Sequence, residues 1–406
     1  MKASAPVREC SGGVTTPRGF KAGGSYCGIR KAKKDIAIIA SHVPATVAAV
    51  FTVNKTVAAP LVVDKIQLQR SSLCSALVVN SGNANACTGE RGLNDAWEMV
   101  RTASESLGLA EERVLVSSTG VIGQYLPMDK VISGIRQLAP SLSEAGSRDA
   151  AEAIMTTDTY AKETAVQFSL GKSLVTIGAM AKGSGMIAPN MATMLAFVTS
   201  DIRISRPLLQ KALTRANNRS FNRITVDGDM STNDMAVVLA NGMAENEPFG
   251  EHSEEFHLFC AALEYVMIKL AKMIARDGEG ATKLIEICVK GARTEEEAAQ
   301  AARSVANSNL VKTAIHGCDA NWGRIMAAVG YSGIEMDPEQ IEIRINDLPV
   351  LNKHYEIVLD EEKTKSALAQ EQVLLTIDLN QGSQSARFWT CDLTKEYVHI
   401  NASYRS

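Results

Sequence analysis

Short runs of β-branched residues, broken by turn residues, occupy much of the first part of this 406-residue chain and restrict it to folds that contain β-sheet. Between Asp35 and Leu115 the runs read DIAIIA, TVAAVFTV, APLVV and SALVVN, followed by a helix-like stretch near Asn94 to Leu107 and then RVLVSS. Runs of this length and composition are typical of strands. The pattern predicts a mixed α/β fold.

Later segments indicate antiparallel pairing and helices in separate blocks. The runs TAVQFSL and SLVTIGAMA flank the dipeptide Gly171-Lys172, which is typical of a hairpin turn. From Ser253 to Arg276, apolar residues recur at three- and four-residue steps, and this spacing predicts a helix. Beyond it we expect a strand (LIEICVKG), an alanine-rich helix (TEEEAAQAARSVANS) and strands near Ile341, Val373 and Arg387. These features favour helices layered on antiparallel sheets, with a domain boundary near Gly280.

Charge and hydropathy exclude several classes of partner. The chain has 42 basic and 45 acidic residues, and because the two signs are mixed along it we expect no nucleic-acid partner. No run of 18 apolar residues occurs and the first residues lack an apolar core, so we expect a cytoplasmic protein without a membrane partner. The eight cysteines are scattered, with no CxxC pair, which predicts free thiols and no metal site.

The segment KGSGMIAPNMATMLAFVTSD, from Lys182 to Asp201, combines a glycine loop with an apolar run. One interpretation is a dinucleotide-binding loop, since Gly183, Gly185 and Ala188 fit the spacing G-x-G-x-x-A. That loop must open a helix whose N-terminus binds the pyrophosphate. Here Pro189-Asn190 interrupts, and the run MLAFVTS favours a strand by its β-branched and aromatic content.

Two other interpretations of this segment remain. The glycines and Asn190 can form a structural turn before a buried run from Met191 to Val198. Alternatively Thr193 is a nucleophile, because a hydroxyl after a flexible loop can attack its own preceding carbonyl. If the peptide bond before Thr193 breaks, the freed α-amine has a pKa of about 7.7 to 8, against about 10.4 for lysine, and serves as the general base. No G-x-S-x-G, HExxH or Walker motif offers a competing site.

Acyl transfer also needs donors for a developing oxyanion. The best sequence candidate is SSTGVIG, Ser117 to Gly123, which follows the run RVLV and whose glycines allow close backbone approach. One such donor contributes about 3 to 4 kcal/mol of transition-state stabilisation. The alternative is an ordinary turn.

Two further segments carry residues that suggest other chemistry. In SFNRITVDGDMSTND, the carboxylates of Asp227, Asp229 and Asp234 suggest a calcium loop, but an EF-hand counted from Asp227 lacks its glycine and glutamate at the required places. An acidic turn that supports the site is the favoured interpretation. The motif HGCD offers Cys318 as a nucleophile beside His316, although neighbouring residues rarely face each other usefully.

Taken together, several motifs resemble the ornithine acetyltransferases, also called glutamate N-acetyltransferases of arginine biosynthesis. The resemblance covers nearly the whole chain. The segments that carry it are NSGNANACTG, SSTGVIG, MTTDT, AKGSGMIAPNMATML, SFNRITVDGDMSTND, DGEGATK, GCDANWGRI and YVHINASYRS.

This resemblance implies a self-cleaving precursor. The cut is expected between Ala192 and Thr193, giving an alpha chain of residues 1–192 and a beta chain of residues 193–406. Two copies of each chain are expected to assemble. The implied fold is an antiparallel α-β-β-α layered sandwich with a smaller second domain.

The resemblance also implies the reaction and its residues. Thr193 takes the acetyl group from N2-acetylornithine and passes it to glutamate, with no cofactor and with acetyl-CoA as a possible co-substrate. Thr119 and Gly120 are expected to form the oxyanion hole. The expected substrate contacts are Thr156, Lys182, Thr193, Glu279, Asn401 and Ser406. Because the substrates carry both charges, we expect Lys182 to bind a carboxylate and Glu279 the amine of ornithine. A self-processing aminopeptidase or amidohydrolase of the same architecture and a dinucleotide-binding protein are the alternatives.

Overall fold

The computed structural model describes residues 7–188 and 194–403. These residues divide into two compact units. The first contains residues 7–183, 194–221 and 230–270, and the second, which is smaller, contains residues 184–188, 222–229 and 271–403.

A single nine-stranded sheet forms the centre of the first unit. Its strands are β1 (Arg8–Cys10), β2 (Phe20–Ser25), β3 (Ile36–Phe51), β4 (Leu73–Asn83), β5 (Val114–Val121), β6 (Lys162–Leu170), β7 (Ser173–Lys182), β8 (Leu195–Ser200) and β9 (Met235–Ala240). The strand order is β1-β6-β7-β8-β9-β3-β4-β5, and β2 also pairs with β3. The pairs β4/β5 and β8/β9 are parallel, and the other pairs are antiparallel.

Helices accompany this sheet. They are α1 (Ala59–Arg70), α2 (Gly89–Leu107), α3 (Met128–Leu138), α4 (Ser147–Ala153), α5 (Arg206–Arg219) and α6 (Glu254–Arg276). Neighbouring residues of β3 and β4 belong to different cores because successive side chains of a strand point to opposite faces. Ile38 and Val78 pack in a core with α2 and α3, whereas Ile39 and Leu77 pack in a core with α4. Burial on both faces explains why these strands are continuous apolar runs.

The helix α1 corrects one sequence prediction. The run APLVV was expected to be a strand, but it begins α1, with Pro60 in the first turn, where a missing N–H costs nothing. α1 covers β5, the last strand in the sheet order. Asp64 accepts the backbone N–H of Val116 at 2.9 Å, and the Gln67 amide donates to the carbonyl of Val114 at 3.2 Å. These bonds give hydrogen-bond partners to two backbone groups on the open edge of β5, the strand that carries the oxyanion candidates.

Local sequence signals predicted other elements correctly. β6 and β7 form the expected antiparallel hairpin, and Gly171 in its turn has φ +58°. The helix α6 matches the predicted range to one residue. The runs DIAIIA and TVAAVF belong to one strand, β3, whose register shifts between Ala40 and Ala45.

A five-stranded sheet forms the second unit, in the order β12-β11-β13-β10-β14. The strands are β10 (Leu284–Ala292), β11 (Glu342–Ile345), β12 (Leu348–Leu351), β13 (Gln372–Asp378) and β14 (Gln384–Cys391). The helices are α7 (Glu295–Asn307), α8 (Asn309–His316), α9 (Trp322–Gly330), α10 (Glu361–Leu368) and α11 (Lys395–Ala402). The pair β10/β13 is parallel, and Thr294 caps the N-terminus of α7, where its hydroxyl accepts the backbone N–H of Glu297. The strands predicted near Ile341, Val373 and Arg387 are confirmed.

The layered α+β class is thus confirmed, and the mostly antiparallel sheets include three parallel pairs among residues 7–188 and 194–403. All eight cysteines lie in the described ranges and are free. None of the helices in the described part of the chain has both the length and the apolar character needed to span a bilayer.

Candidate active site

The two oxyanion candidates, Thr119 and Gly120, lie in β5. The segment SSTGVIG was expected to supply the oxyanion donors, with an ordinary turn as the alternative, and in the structure its pairing with β4 continues through Val121. Gly120 faces Gly82 in this parallel pair and has φ +137°. A Cβ at Gly120 would lie 2.3 Å from the carbonyl carbon of Gly82. The close approach of the two backbones therefore requires glycine.

Buried polar side chains fix the ends of these two strands. The hydroxyl of Ser118 donates to the Asn80 side chain at 2.6 Å. The Asn80 amide in turn donates to the carbonyl of Asn83 at 2.9 Å. Both side chains are fully buried, so these bonds replace hydration that the groups lost on folding.

Lys182, at the end of β7, brings three of the predicted site residues together. Its ammonium group donates to the hydroxyl of Thr156 at 2.7 Å and to that of Thr119 at 3.4 Å. The side chain is only 3% exposed. A buried ammonium group beside two hydroxyls is suited to bind an anionic group such as a carboxylate.

Asp158 organises this cluster, although it was not among the site residues predicted from the sequence. Its carboxylate lies 2.7 Å from the ammonium group of Lys162 and 4.0 Å from that of Lys182. It also accepts the backbone N–H groups of Thr156 at 3.0 Å and Gly183 at 2.7 Å. Burial alone would raise the pKa of Asp158, but the two ammonium groups outweigh this effect and hold the pKa below its usual range. Its position inside the motif MTTDT was the available signal.

The glycine segment leads to a strand, as its composition predicted. β8 begins at Leu195, where a dinucleotide-binding loop would need a helix. Ala192 and Thr193 lie outside the described residues, as does Ser406. Immediately after Thr193 in the chain, the backbone N–H of Met194 donates to Asp234 at 3.0 Å.

In the second unit, Glu279 and Asn401 contact each other. The Asn401 amide donates to the Glu279 carboxylate at 2.7 Å, and the Glu279 backbone N–H donates to the carbonyl of Ser184 at 3.1 Å. The carboxylate is packed against Gly185, where a Cβ would lie 2.4 Å from the carboxyl carbon. Glu279 is therefore buried and held in one orientation.

The acidic segment binds the backbone and not a metal ion. Asp227 accepts the N–H groups of Met186 at 2.6 Å and Ile187 at 2.9 Å, which fixes the glycine segment within the second unit. Among the described residues, no group of three or more His, Cys, Asp or Glu side chains could hold a metal.

The HGCD motif has a different set of contacts from those of a cysteine nucleophile and base. The His316 ring nitrogen Nδ1 lies 2.8 Å from the Asp392 carboxylate. Lys283 donates to the carbonyls of Ile315 and His316 and lies 3.2 Å from the Cys318 thiol. A cation at the last carbonyls of α8 stabilises the end of that helix.

Comparison with known proteins identifies the family. A profile of the ArgJ family matches residues 21–406. The arginine biosynthesis bifunctional protein ArgJ of Symbiobacterium thermophilum is 53% identical over 98% of this chain and 99% of its own length. The protein of the same name from Oceanobacillus iheyensis is 51% identical over 98% of this chain and 99% of its own length.

A solved structure agrees with these sequence relatives. The crystal structure of the ArgJ protein of Bacillus halodurans is 48% identical, with a TM-score of 0.50. The match covers 51% of this chain and 98% of the solved chain. The resemblance that the motifs carry is confirmed, and the chain belongs to the ArgJ family of arginine biosynthesis enzymes.

Proposed function

We propose that this ArgJ-family enzyme transfers the acetyl group of N2-acetylornithine to glutamate through an acetyl ester on Thr193. In the first step the Thr193 hydroxyl attacks the acetyl carbonyl, the carbon–nitrogen bond breaks, and the α-amine of ornithine leaves with a proton. In the second step the α-amine of glutamate attacks the ester, which forms N-acetylglutamate and returns the proton to the Thr193 oxygen.

The observation that carries the proposal is the convergence of three separate motifs on one cluster. Thr119 comes from SSTGVIG, Thr156 from MTTDT and Lys182 from AKGSGM, and Lys182 donates to both hydroxyls. In this proposal the backbone at Thr119 and Gly120 donates to the oxyanion of each tetrahedral intermediate. Lys182 and Thr156 bind the substrate carboxylate.

Glu279 and Asn401 are proposed to recognise the side chain of ornithine. The Glu279 carboxylate is 7% exposed and is oriented by Asn401. A carboxylate held in this way binds the side-chain ammonium group of N-acetylornithine, which glutamate lacks. Ser406 is proposed as a further substrate contact through its terminal position.

The nucleophile is proposed to arise by self-cleavage between Ala192 and Thr193, and two copies of each chain are proposed to assemble. One finding supports two chains. The Bacillus halodurans chain aligns over nearly its whole length with only half of this one, whereas the Symbiobacterium relative is matched over the full length of both. The new α-amine then serves as the general base, since the ordinary pKa of an α-amine, about 7.7 to 8, suits neutral pH.

Denaturing mass spectrometry of the wild type and of the Thr193→Ala variant tests the proposal. We expect fragments 1–192 and 193–406 from the wild type and one 43.5 kDa species from the variant. Purified wild type should then transfer acetyl from N2-acetylornithine to glutamate, with acetyl-CoA tested as a second donor. A cut Thr193→Ala protein would disprove cleavage by this hydroxyl. Acetyl transfer to water alone would instead identify a hydrolase.

A further inference from the structure

We propose that two consecutive residues, Asn233 and Asp234, are positioning residues that hold the oxyanion strand β5 and the start of β8, the strand that follows Thr193 in the chain. The inference rests on the proposed function and deepens it. Asn233 binds the backbone of β5, which carries Thr119 and Gly120, and the carbonyl of Ala84 just past β4. Asp234 binds the backbone N–H of Met194, the residue after Thr193. Neither residue is proposed to contact substrate.

The Asn233 side chain joins the ends of β4 and β5. Its amide donates to the carbonyl of Ala84, just past β4, at 2.6 Å and to that of Ser118, in β5, at 2.8 Å. Its oxygen accepts the hydroxyl of Thr232 at 2.5 Å. This set of partners fixes the orientation of the amide, because the flipped amide would place its oxygen against two carbonyl oxygens. Ser118 directly precedes Thr119, so the amide fixes the backbone of the oxyanion candidates.

The Asp234 side chain binds the start of β8. One carboxylate oxygen accepts the backbone N–H of Met194 at 3.0 Å. The other oxygen is buried and accepts no hydrogen bond within the described part of the chain. Burial raises the pKa of Asp234 well above its usual range, with the Met194 bond acting in the opposite direction. A buried carboxyl oxygen without a hydrogen bond lowers the stability of the fold, and a role in positioning the backbone explains why a carboxyl group is found here.

A rigid strand supports both contacts. β9 begins at Met235, directly after Asp234, and pairs with β8 on one side and with β3 on the other. Asn233 and Asp234 therefore fix two separate backbone segments of the site relative to the same strand, β9. Catalytic groups must be held to about 0.5 Å, and a displacement of about 1 Å costs on the order of a hundredfold in rate.

The first test replaces Asn233 by alanine and uses Asn241→Ala as its matched control. Asn241 follows β9 at its other end, is also buried, and donates to the carbonyl of Arg18 and the hydroxyl of Ser41. Both variants lose a buried amide and should lose similar thermal stability. We expect kcat for acetyl transfer to fall at least about tenfold in Asn233→Ala, with KM nearly unchanged, because a misplaced oxyanion donor acts on the transition state. Asn241→Ala should keep kcat.

The second test replaces Asp234 and measures self-cleavage over time by denaturing mass spectrometry. We expect Asp234→Ala to slow cleavage by about a hundredfold and Asp234→Asn to restore most of the rate, because the amide oxygen still accepts the Met194 N–H. Asp201→Ala is the control, since Asp201 is equally buried at the other end of β8 and binds the backbone of Thr176. It should cleave normally.

The outcomes separate this inference from the proposed function. If Asn233→Ala keeps the kcat of its control and Asp234→Ala cleaves at the wild-type rate, the positioning role is wrong and the proposed function stands. A wild type that neither cleaves nor transfers acetyl overturns both. If Asn233→Ala does not fold, Asn233→Ser is measured instead, because its hydroxyl can replace one of the two lost bonds. Asn233→Ser should show a smaller fall in kcat, again at unchanged KM, and a kcat equal to that of Asn241→Ala would contradict the positioning role.

Discussion

At the scale of single residues, Asp158 shows how one buried charge can control a cluster. Its carboxylate lies between Lys162 and Lys182 and also binds two backbone N–H groups. In Asp158→Asn the two buried ammonium groups lose this partner, which we expect to lower the free energy of unfolding by about 3–5 kcal/mol at neutral pH. Chemical denaturation measures the loss. A double variant that adds Lys162→Met should recover part of it, because the buried pair is then removed as a whole.

The same variant predicts a pH dependence of stability. The pKa of Asp158 is lower in the folded protein than its ordinary value of about 3.9, so the folded state favours the ionised form. Its contribution is complete above about pH 4 and is lost as the pH falls through the lower folded pKa. The stability difference between wild type and Asp158→Asn should therefore shrink in acid. A difference that stays constant down to pH 3 would show that the charge of Asp158 is not what stabilises the fold.

Gly185 tests the proposed role of Glu279 without changing the carboxylate. A Cβ at Gly185 would lie 2.4 Å from the Glu279 carboxyl carbon, so Gly185→Ala must displace that group. We expect KM for N2-acetylornithine to rise more than KM for glutamate, because glutamate has no side-chain amine. The variant Glu279→Gln should show the same difference. Gly317→Ala is the control, since the nearest atoms there would be 3.6 Å from the new Cβ. Equal effects on both substrates would contradict the assignment of Glu279.

At the scale of elements, the strand β5 depends on one glycine for its approach to β4. Gly120→Ala combines an unfavourable φ, which costs about 1–2 kcal/mol, with overpacking against Gly82 that costs about 1–3 kcal/mol. We also expect kcat to fall by about a hundredfold, because the shifted backbone carries the oxyanion donors. Steady-state kinetics and thermal unfolding measure the two effects.

Gly123→Ala is the matched control for Gly120. Gly123 has φ +81°, but a Cβ there would have no atom within 4 Å. This variant should lose only the stability that the unfavourable φ costs, and its kcat should stay unchanged. If both variants lose kcat equally, the close approach of β4 and β5 is not what positions the donors.

Local signals explain which elements could be predicted from the sequence. The hairpin at Gly171 and the helix α6 depend on neighbouring residues, and both were found. The run APLVV was assigned to the wrong structure because a short apolar run fits either a strand or a buried helix, and only Pro60 marks the helix start. For SSTGVIG an ordinary turn remained an alternative in the sequence, because its pairing partner, β4, lies almost forty residues earlier. Lys182, Thr156 and Thr119 were named by motif, but their meeting depends on this long-range pairing.

Residues that act through other residues were the hardest to predict. Asp158 and Asn233 lie inside recognised motifs, but each also binds a residue far along the chain: Asp158 accepts the Gly183 N–H across 25 residues, and Asn233 contacts the carbonyl of Ala84 across 149 residues. Asp234 was seen as one of three acidic residues in a turn, and only the structure shows that it binds Met194. Spacing along the chain carries no signal for such contacts.

At the scale of the whole molecule, the proposed cleavage cuts a chain whose two products share one sheet. β7 precedes the cut and β8 follows it, and they pair from Lys182 with Leu195 to Ile177 with Ser200. β3 and β9 also lie on opposite sides of the cut and pair over six residues. The fragments therefore exchange backbone hydrogen bonds along two strand pairs and share the core that contains Ile39 and Phe197.

This arrangement predicts that the fragments 1–192 and 193–406 stay together under native conditions and separate only when the protein unfolds. Size-exclusion chromatography should give one native species that contains both fragments, whereas denaturing conditions should resolve two. Because unfolding of the cut protein releases more separate chains, its Tm should rise more steeply with protein concentration than that of uncut Thr193→Ala. If the fragments 1–192 and 193–406 separate without denaturant, the pairs β7/β8 and β3/β9 are not what holds the two chains together.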